Sequence, residues 1–344
     1  MTRILPALAG AVALTLSTLT AQAQSAADFY KGKTISLVIS SSAGGGYDTL
    51  ARTIARHLPK HIPGAPVVAV RNMPGAGGIV ATNFLYNIAS KDGLTIGGVQ
   101  NNTPFEPLLG TKEADYDPKK FNWLGSPSYE TGLLIVWHTV AAATVDEVRK
   151  TEITVSSSGA NSTPSFFARL LTELLGLKLK IVVGYPGQNE SFIAMERGEV
   201  DGYPSIFWSS LAATRPDWIK NKRVKYVVQY GPEKEKDAGD TPSVIDYLTK
   251  EDDKLLLNAA IAPLALGRPY LMPPGVPADR VALMQKAMMA TFADPDFLAE
   301  ADKLNLGVNV PRSPEQMAKL VEEAYATPPA IVERLRRIAN PAGK

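Results

Sequence analysis

The sequence predicts an α/β protein of two lobes, each a mostly parallel sheet flanked by helices, joined by two crossover segments. Its 344 residues are enough for two domains of ordinary size. Three successive strand–turn–helix units open the fold, which is the pattern of a parallel sheet with helices on its faces. Similar units recur after residue 129, so a second lobe of the same architecture is expected.

The first unit is built around a turn rich in serine and glycine, residues 40–49. The apolar run 35–39 predicts a strand before the turn, and the four-residue spacing of Leu50, Ile54 and Leu58 predicts an amphipathic helix after it. Glycines leave backbone amides uncovered, and the first amides of a helix lack intrahelical acceptors. The turn is therefore a candidate anion site, although it is not a P-loop, because no Gly-Lys-Ser/Thr follows.

Two further units follow the first. A predicted strand at 67–70 ends in a second glycine turn, 71–78, which leads into a helical stretch at 79–89. A third predicted strand, 95–99, ends in the polar loop 100–104. Because ligands of parallel sheets bind at the carboxyl ends of the strands, we expect these three turns to share one crevice.

The second lobe repeats this arrangement. A predicted strand at 153–155 runs into the serine-rich turn 156–164, and a helix is predicted over 165–175. The serines and asparagine of this turn supply more hydrogen-bond donors than helix capping requires, which favours a second binding turn. The next predicted strand, 181–183, leads into another polar turn at 184–189.

The C-terminal third contains one ambiguous segment and several clear helices. The continuous apolar run 255–264 is interpreted as a buried strand that returns between the lobes. Helices are predicted over 278–292, 295–304, 314–326 and 330–338. These assignments place residues 25–128 plus 255–344 in lobe 1 and 129–254 in lobe 2, with crossovers near 125–129 and 255–262.

The N-terminal segment has the features of a secretory leader. Arg3 provides a positive start, an apolar stretch follows, and Ala21-Gln22-Ala23 fits the small-x-small cleavage pattern. Residues 1–23 are therefore predicted to be a signal peptide, which makes the mature protein soluble and exported. The chain has no cysteine, which excludes disulfides and thiolate catalysis, and its net charge of +2 gives no reason to expect a nucleic-acid partner.

No pattern typical of an enzyme or a metal site is found. His57 and His61 lie at helical spacing, but Pro59 intervenes and no glutamate accompanies them as in a zinc protease. There is no Gly-x-Ser-x-Gly, and the glycines at 75–78 do not form a dinucleotide fingerprint. We therefore expect a binding protein without cofactor or metal.

Several other side chains are candidate pocket residues. Tyr185, Tyr203, Phe207 and Trp208 could wall a pocket, although aromatic residues in such numbers belong more often to the core. Arg268 could reach a ligand carboxylate through its planar guanidinium, but a solvated loop arginine is the favoured interpretation.

The order of these motifs resembles the Bug family, the solute-binding receptors of tripartite tricarboxylate transporters. The resemblance covers nearly all of the mature chain, and each motif is weak alone. The motifs are Gly44-Gly45-Gly46-Tyr47-Asp48, Pro74-Gly75-Ala76-Gly77-Gly78, Tyr116-Asp117-Pro118, Ser157-Ser158-Gly159, Tyr185-Pro186-Gly187, Gly198-Glu199-Val200-Asp201 and Pro274-Gly275-Val276-Pro277. The chain departs from the family where Ser40-Ser41-Ser42-Ala43 replaces the usual Pro-aromatic-Ala-Pro.

The resemblance implies a periplasmic, type II binding-protein clamshell that closes on a small organic carboxylate and delivers it to membrane permease subunits. It implies that the first two glycine turns hold one end of the ligand through backbone amides and ordered water, and that the serine-rich turn holds a carboxylate. A monomer is expected. The candidate ligand-binding residues are Ser41, Ser42, Ala43, Gly44, Tyr47, Asp48, Gly75, Ala76, Gly77, Asn101, Ser157, Ser158, Asn161, Ser162, Tyr185 and Ser205.

Two alternative functions stay open at the level of sequence. One is an exported hydrolase that uses a serine of these turns. The other is a receptor that feeds a sensor kinase or an ATP-driven importer, because no docking motif is legible in the chain.

Overall fold

The computed structural model describes residues 26–41, 43–44, 46–160, 162–308 and 310–340. The predicted leader, 1–23, lies outside this part of the chain. The strands are β1 (Thr34–Ile39), β2 (Val67–Asn72), β3 (Thr95–Gly98), β4 (Asn122–Gly125), β5 (Gly132–Trp137), β6 (Ile153–Ser157), β7 (Leu179–Val183), β8 (Gly202–Phe207), β9 (Val224–Tyr230) and β10 (Tyr270–Met272).

Helices flank the strands along the whole described chain. They are α1 (Ala26–Phe29), α2 (Gly46–His57), α3 (Ile79–Asn83), α4 (Glu106–Leu109), α5 (Val145–Lys150), α6 (Thr163–Leu175), α7 (Gln188–Glu196), α8 (Trp208–Thr214), α9 (Pro216–Lys220), α10 (Glu251–Leu266), α11 (Ala278–Phe292), α12 (Pro295–Lys303), α13 (Pro314–Tyr325) and α14 (Pro329–Ala339). Within the described ranges, no helix has the length and apolar character needed to cross a bilayer.

The strands form two five-stranded sheets. The first has the order β2-β1-β3-β10-β4, in which β1 runs parallel to β2 and β3 while β10 is antiparallel to its neighbours. The second has the order β7-β6-β8-β5-β9, in which β6 runs parallel to β7 and β8 while β5 is antiparallel. Each sheet is thus mostly parallel, as predicted, with one reversed strand.

The segment interpreted as a returning strand, 255–264, is helical, so that prediction is wrong. It lies within α10, whose first turn carries Glu251, Asp252 and Asp253. Acidic residues stabilise the positive end of a helix, and leucine and alanine, which dominate the run, are strong helix formers. Continuous apolarity masked these signals because a buried strand and a buried helix cannot be separated by periodicity alone.

The chain passes between the sheets twice, and the two passages are hydrogen-bonded to each other. The backbone amide of Arg268 donates to Ser126 Oγ at 2.9 Å, and that of Glu130 donates to the Leu264 carbonyl at 2.9 Å. Gly267 has φ +63°, and a Cβ there would lie 1.8 Å from the Ser128 carbonyl oxygen. Only glycine allows the two segments to approach this closely.

The C-terminal helices do not all pack on the first sheet. Leu256 and Leu257 of α10, with Ile331 and Leu335 of α14, belong to the apolar core that covers the second sheet. Parts of α10 and α14, which the sequence placed in lobe 1, thus contribute to the core of the second sheet, and the boundaries 25–128 plus 255–344 and 129–254 stay a prediction.

Candidate functional site

A cleft of about 560 Å³ lies between the two sheets. Its lining includes residues that follow the carboxyl ends of β1, β3, β6 and β7, so polar turns of both sheets meet at one place, as expected for parallel strands. The lining residues are Gly46, Tyr47, Gln100, Asn101, Asn102, Phe105, Glu106, Leu108, Leu109, Thr111, Glu130, Thr163, Pro164, Phe166, Phe167, Gln188, Tyr203, Ser205, Phe207, Ser210, Ala259, Ala260, Pro263, Leu264, Arg268, Leu335, Ala339 and Asn340.

Three helices begin at this cleft. Gly46 and Tyr47 open α2, Thr163 and Pro164 open α6, and Gln188 opens α7. The first amides of a helix have no intrahelical acceptor, and the helix dipole concentrates positive potential there. A negatively charged group is therefore favoured in the cleft without any lysine.

Asn101 supplies a free donor beside α2. The residue is only 8% exposed, it lines the cleft, and its side-chain Nδ2 has no hydrogen-bond partner. Its backbone amide donates to the Tyr47 hydroxyl at 3.3 Å, and burial raises the pKa of Tyr47 to about 12, so that hydroxyl stays neutral. A buried donor without a partner is costly, so the Asn101 side chain has hydrogen-bonding capacity that the folded protein does not use.

An ion pair lies at the base of the cleft. Arg268 Nε is 3.3 Å from Glu130 Oε1, and the side chains are 9% and 3% exposed. Arg268 also donates from Nη1 to the Gly46 carbonyl at 3.3 Å, and Ser209 Oγ donates to Glu130 Oε2 at 2.7 Å. Burial raises the pKa of Glu130, although Arg268 and Ser209 oppose that effect. The expectation of a solvated Arg268 is therefore wrong, because the side chain is buried against Glu130.

The Asp48 carboxylate stabilises the first glycine turn by accepting hydrogen bonds from residues in and around it. Gly44 N donates to Oδ2 at 2.8 Å, Arg52 Nε donates to Oδ2 at 2.9 Å, and Asn72 Nδ2 donates to Oδ1 at 2.8 Å. Burial opposes ionisation, but these three donors outweigh it and lower the pKa of Asp48 to about 2. Asp48 does not line the cleft, and its geometry is that of a residue that shapes the turn.

The serine hydroxyls of the serine-rich turn form hydrogen bonds within the turn. Ser157 Oγ lies 2.7 Å from both Ser162 Oγ and Ser165 Oγ, and the latter two hydroxyls donate to the Gly159 carbonyl. Ser162 is the N-cap residue of α6, but its side chain makes no capping bond. The hydroxyls of Ser157 and Ser162, both candidate ligand-binding residues, are thus hydrogen-bonded within the turn. Thr163, the next residue after Ser162, lines the cleft.

The second glycine turn is exposed and does not line the cleft. Gly75, Ala76 and Gly77 have φ of +142°, +45° and +62°. Such backbone is unusual for alanine and orients successive amides unlike regular structure. The turn lies near the site all the same, because a Cβ on Gly77 would be 4.0 Å from Nδ2 of Asn102, which lines the cleft.

Of the residues proposed from sequence, three line the cleft, namely Tyr47, Asn101 and Ser205. Ser42 and Asn161 lie outside the described residues. The others do not line it, although the Ser41 hydroxyl is buried without a partner; these are Ser41, Ala43, Gly44, Asp48, Gly75, Ala76, Gly77, Ser157, Ser158, Ser162 and Tyr185. Ligand contact by each of the proposed residues stays a prediction.

Sequence reasoning missed one whole wall of the cleft. It is apolar and comes from α4 with the residue before it, and from α6, α10 and α14, with Phe105, Phe166, Pro263 and Leu335 among its residues. These residues are far apart in the chain, and α10 was interpreted as a strand. The acidic residues Glu251, Asp252 and Asp253 are the signal that indicates a helix here, and a helix at this position would have placed Pro263 near the site.

Comparison with known proteins identifies the family. The model of the tripartite tricarboxylate transporter family receptor matches residues 50–336. A UPF0065 protein in the gbd 5′ region of Cupriavidus necator is 31% identical over 202 residues, which cover 56% of this chain and 58% of that relative.

Solved structures share the fold. A TctC solute-binding protein from Polaromonas, solved without ligand, has a TM-score of 0.68 at 16% identity and covers 91% of this chain and 99% of its own. MatC from Rhodopseudomonas palustris, solved with bound malate, has a TM-score of 0.63 at 22% identity and covers 89% of this chain and 99% of its own. The two-lobed binding-protein fold is thereby confirmed. Receptors of this family are periplasmic solute-binding proteins and not enzymes. The chain belongs to the tripartite tricarboxylate transporter receptor family.

Proposed function

We propose that this protein is an exported receptor that captures a small organic carboxylate between its lobes and delivers it to a tripartite tricarboxylate-type membrane permease. The main support for this proposal is the side-chain Nδ2 of Asn101, which is buried beside the first turn of α2 and has no hydrogen-bond partner. A neutral donor and a helix N-terminus at one point suit an anion held by hydrogen bonds. The related MatC holds malate, a carboxylate, which supports the same class of ligand here.

Carboxylate binding here relies on fixed dipoles more than on free charge. Arg268 lines the cleft, but its guanidinium faces Glu130, so the pair adds little net potential. The amides at the start of α2 and the Asn101 side chain replace the water that the carboxylate loses on entry. This replacement is needed because an unpaired charge out of water is costly.

The two passages between the sheets are the proposed hinge. Each is short, and together they are linked by the Arg268–Ser126 and Glu130–Leu264 hydrogen bonds. Rotation about such a pair of connecting segments moves one lobe as a rigid body against the other. Closure would enclose the ligand between α2 of one sheet and α6 and α7 of the other.

Thermal unfolding of the mature chain, residues 24–344, tests the binding proposal. A panel of mono-, di- and tricarboxylates and the matching primary amides is added in turn. We expect at least one acid to raise the melting temperature while its amide does not, because a ligand that binds only the folded state stabilises it by mass action. A panel in which no acid shifts the transition, or in which amides shift it equally, contradicts the proposal.

Export is tested separately by sequencing the N-terminus of the protein recovered from a Gram-negative host. Cleavage after Ala23 predicts a mature N-terminus at Gln24, give or take a residue, in the periplasmic fraction. Recovery of the chain from the cytosol with Met1 in place contradicts export.

A further inference from the structure

The cleft has two chemically different halves. One half is polar and includes Gly46, Asn101, Arg268 and Ser205. The other half is apolar and includes Phe105, Leu108, Leu109, Phe166, Pro263 and Leu335. Removing this apolar surface from water is favourable for binding when the ligand surface that covers it is also apolar.

The charges at the cleft do not favour a second acidic group. Among the described lining residues, Glu106 and Glu130 are acidic and Arg268 is the one basic side chain. Arg268 is already paired with Glu130 at 3.3 Å. Even if Glu130 were protonated, Glu106 would balance Arg268, so the lining is at best neutral.

Glu106 is held in place rather than free to turn away. Its Oε1 accepts from Asn102 Nδ2 at 2.8 Å, and its Oε2 accepts from Thr111 Oγ1 at 2.6 Å. Asn102 and Thr111 also line the cleft. A second ligand carboxylate near Glu106 would lose its hydration and would be repelled by the Glu106 carboxylate. Among the described lining residues, no unpaired cation is present to compensate.

We propose that the ligand is a monocarboxylate with an apolar aliphatic or aromatic body, and not a compact di- or tricarboxylate. This inference rests on the proposed function, since it assumes that one carboxylate binds at the start of α2 and Asn101. The apolar body then lies against the wall formed by α4, α6, α10 and α14. Selectivity arises from burial of the body and from exclusion of a second charge by Glu106.

The test compares two acids with the same six-carbon chain, hexanoate with one carboxylate and adipate with two. Calorimetry on the mature chain is expected to give hexanoate at least about tenfold higher affinity, because the second carboxylate of adipate must be desolvated against the apolar wall. Adipate binding as tightly as hexanoate, or more tightly, overturns the inference but leaves carboxylate recognition intact. If hexanoate, adipate, 3-phenylpropionate, malate and citrate all fail to bind, the proposed function itself is wrong.

Two variants and one control identify the residues that determine the selectivity. Glu106→Gln removes the negative charge and keeps a side chain that can accept a hydrogen bond, so the preference for hexanoate over adipate should narrow several-fold. Glu113→Gln makes the same change at an exposed position that does not line the cleft, and should leave the ratio unchanged. Phe166→Ala, at a half-buried wall position, should weaken hexanoate more than malate. Equal ratios in the wild type and Glu106→Gln contradict the role of Glu106.

Discussion

The Asn101 side chain gives the cleft a donor that the folded protein itself leaves unused. Replacing Asn101 with alanine should therefore weaken carboxylate binding by about 1.5–3 kcal/mol, the usual contribution of a hydrogen bond to a charged group. The unfolding temperature should change little, since Nδ2 has no partner to lose. Calorimetry and thermal unfolding measure the two quantities. Asn221→Ala, at an exposed asparagine that does not line the cleft, is the matched control; unchanged affinity in Asn101→Ala would remove Asn101 from the site.

Asp48 is predicted to stabilise the fold in a pH-dependent manner. Its pKa falls from 3.8 to about 2 in the folded state, so its contribution is complete above pH 4 and is lost as the pH falls towards 2. Asp48→Asn should lose on the order of 2 kcal/mol of unfolding free energy at pH 7, and the difference from wild type should shrink between pH 4 and pH 2. Urea unfolding at each pH measures this.

The same Asp48→Asn variant separates turn shaping from ligand contact. Because the carboxylate is occupied by Gly44, Arg52 and Asn72, affinity should change less than stability. Asp217→Asn, in the first turn of α9, serves as a control for loss of a negative charge. A stability difference that stays constant from pH 7 to pH 2 would contradict the assigned role.

At the scale of elements, the two passages between the sheets are coupled through the Arg268–Glu130 pair. Loss of one partner leaves a buried charge uncompensated, so Arg268→Met should destabilise the protein by about 3–5 kcal/mol. The double variant Arg268→Met with Glu130→Leu should recover most of that loss. Urea unfolding of the four proteins gives the coupling, and simple additivity of the two single changes would show that the pair does not act as a unit.

The elements that the sequence predicted well share a strong local signal. The apolar run before a glycine turn located β1, and the periodic stretch 278–292 coincides with α11. In contrast, the apolar run 255–264 of α10 shows no clear helical periodicity, and β10 is a strand of three residues whose pairing with β3 and β4 is entirely long-range. The polar half of the cleft followed from turns at strand ends, whereas its apolar wall depends on helix packing that no local pattern records.

At the scale of the whole molecule, the fold predicts a closure that accompanies binding. Saturation with the tightest-binding acid of the panel should make the particle more compact in solution scattering. The same ligand at a hundredfold excess over its dissociation constant should add about 2.7 kcal/mol to the unfolding free energy. Scattering curves that superimpose with and without ligand would indicate a rigid binder and would exclude rotation about the two passages.

The proposed function depends on recognition of a carboxylate by backbone amides and Asn101 in the cleft. Calorimetry of the tightest-binding acid and its primary amide, at low and high salt, tests it most directly. We expect the amide to bind at least about tenfold more weakly, because donors arranged for an anion meet a poorer acceptor. Affinity for the acid should depend little on salt, since the one lining cation, among the described residues, is buried and paired. Equal affinity for the acid and its amide would contradict carboxylate recognition at this site.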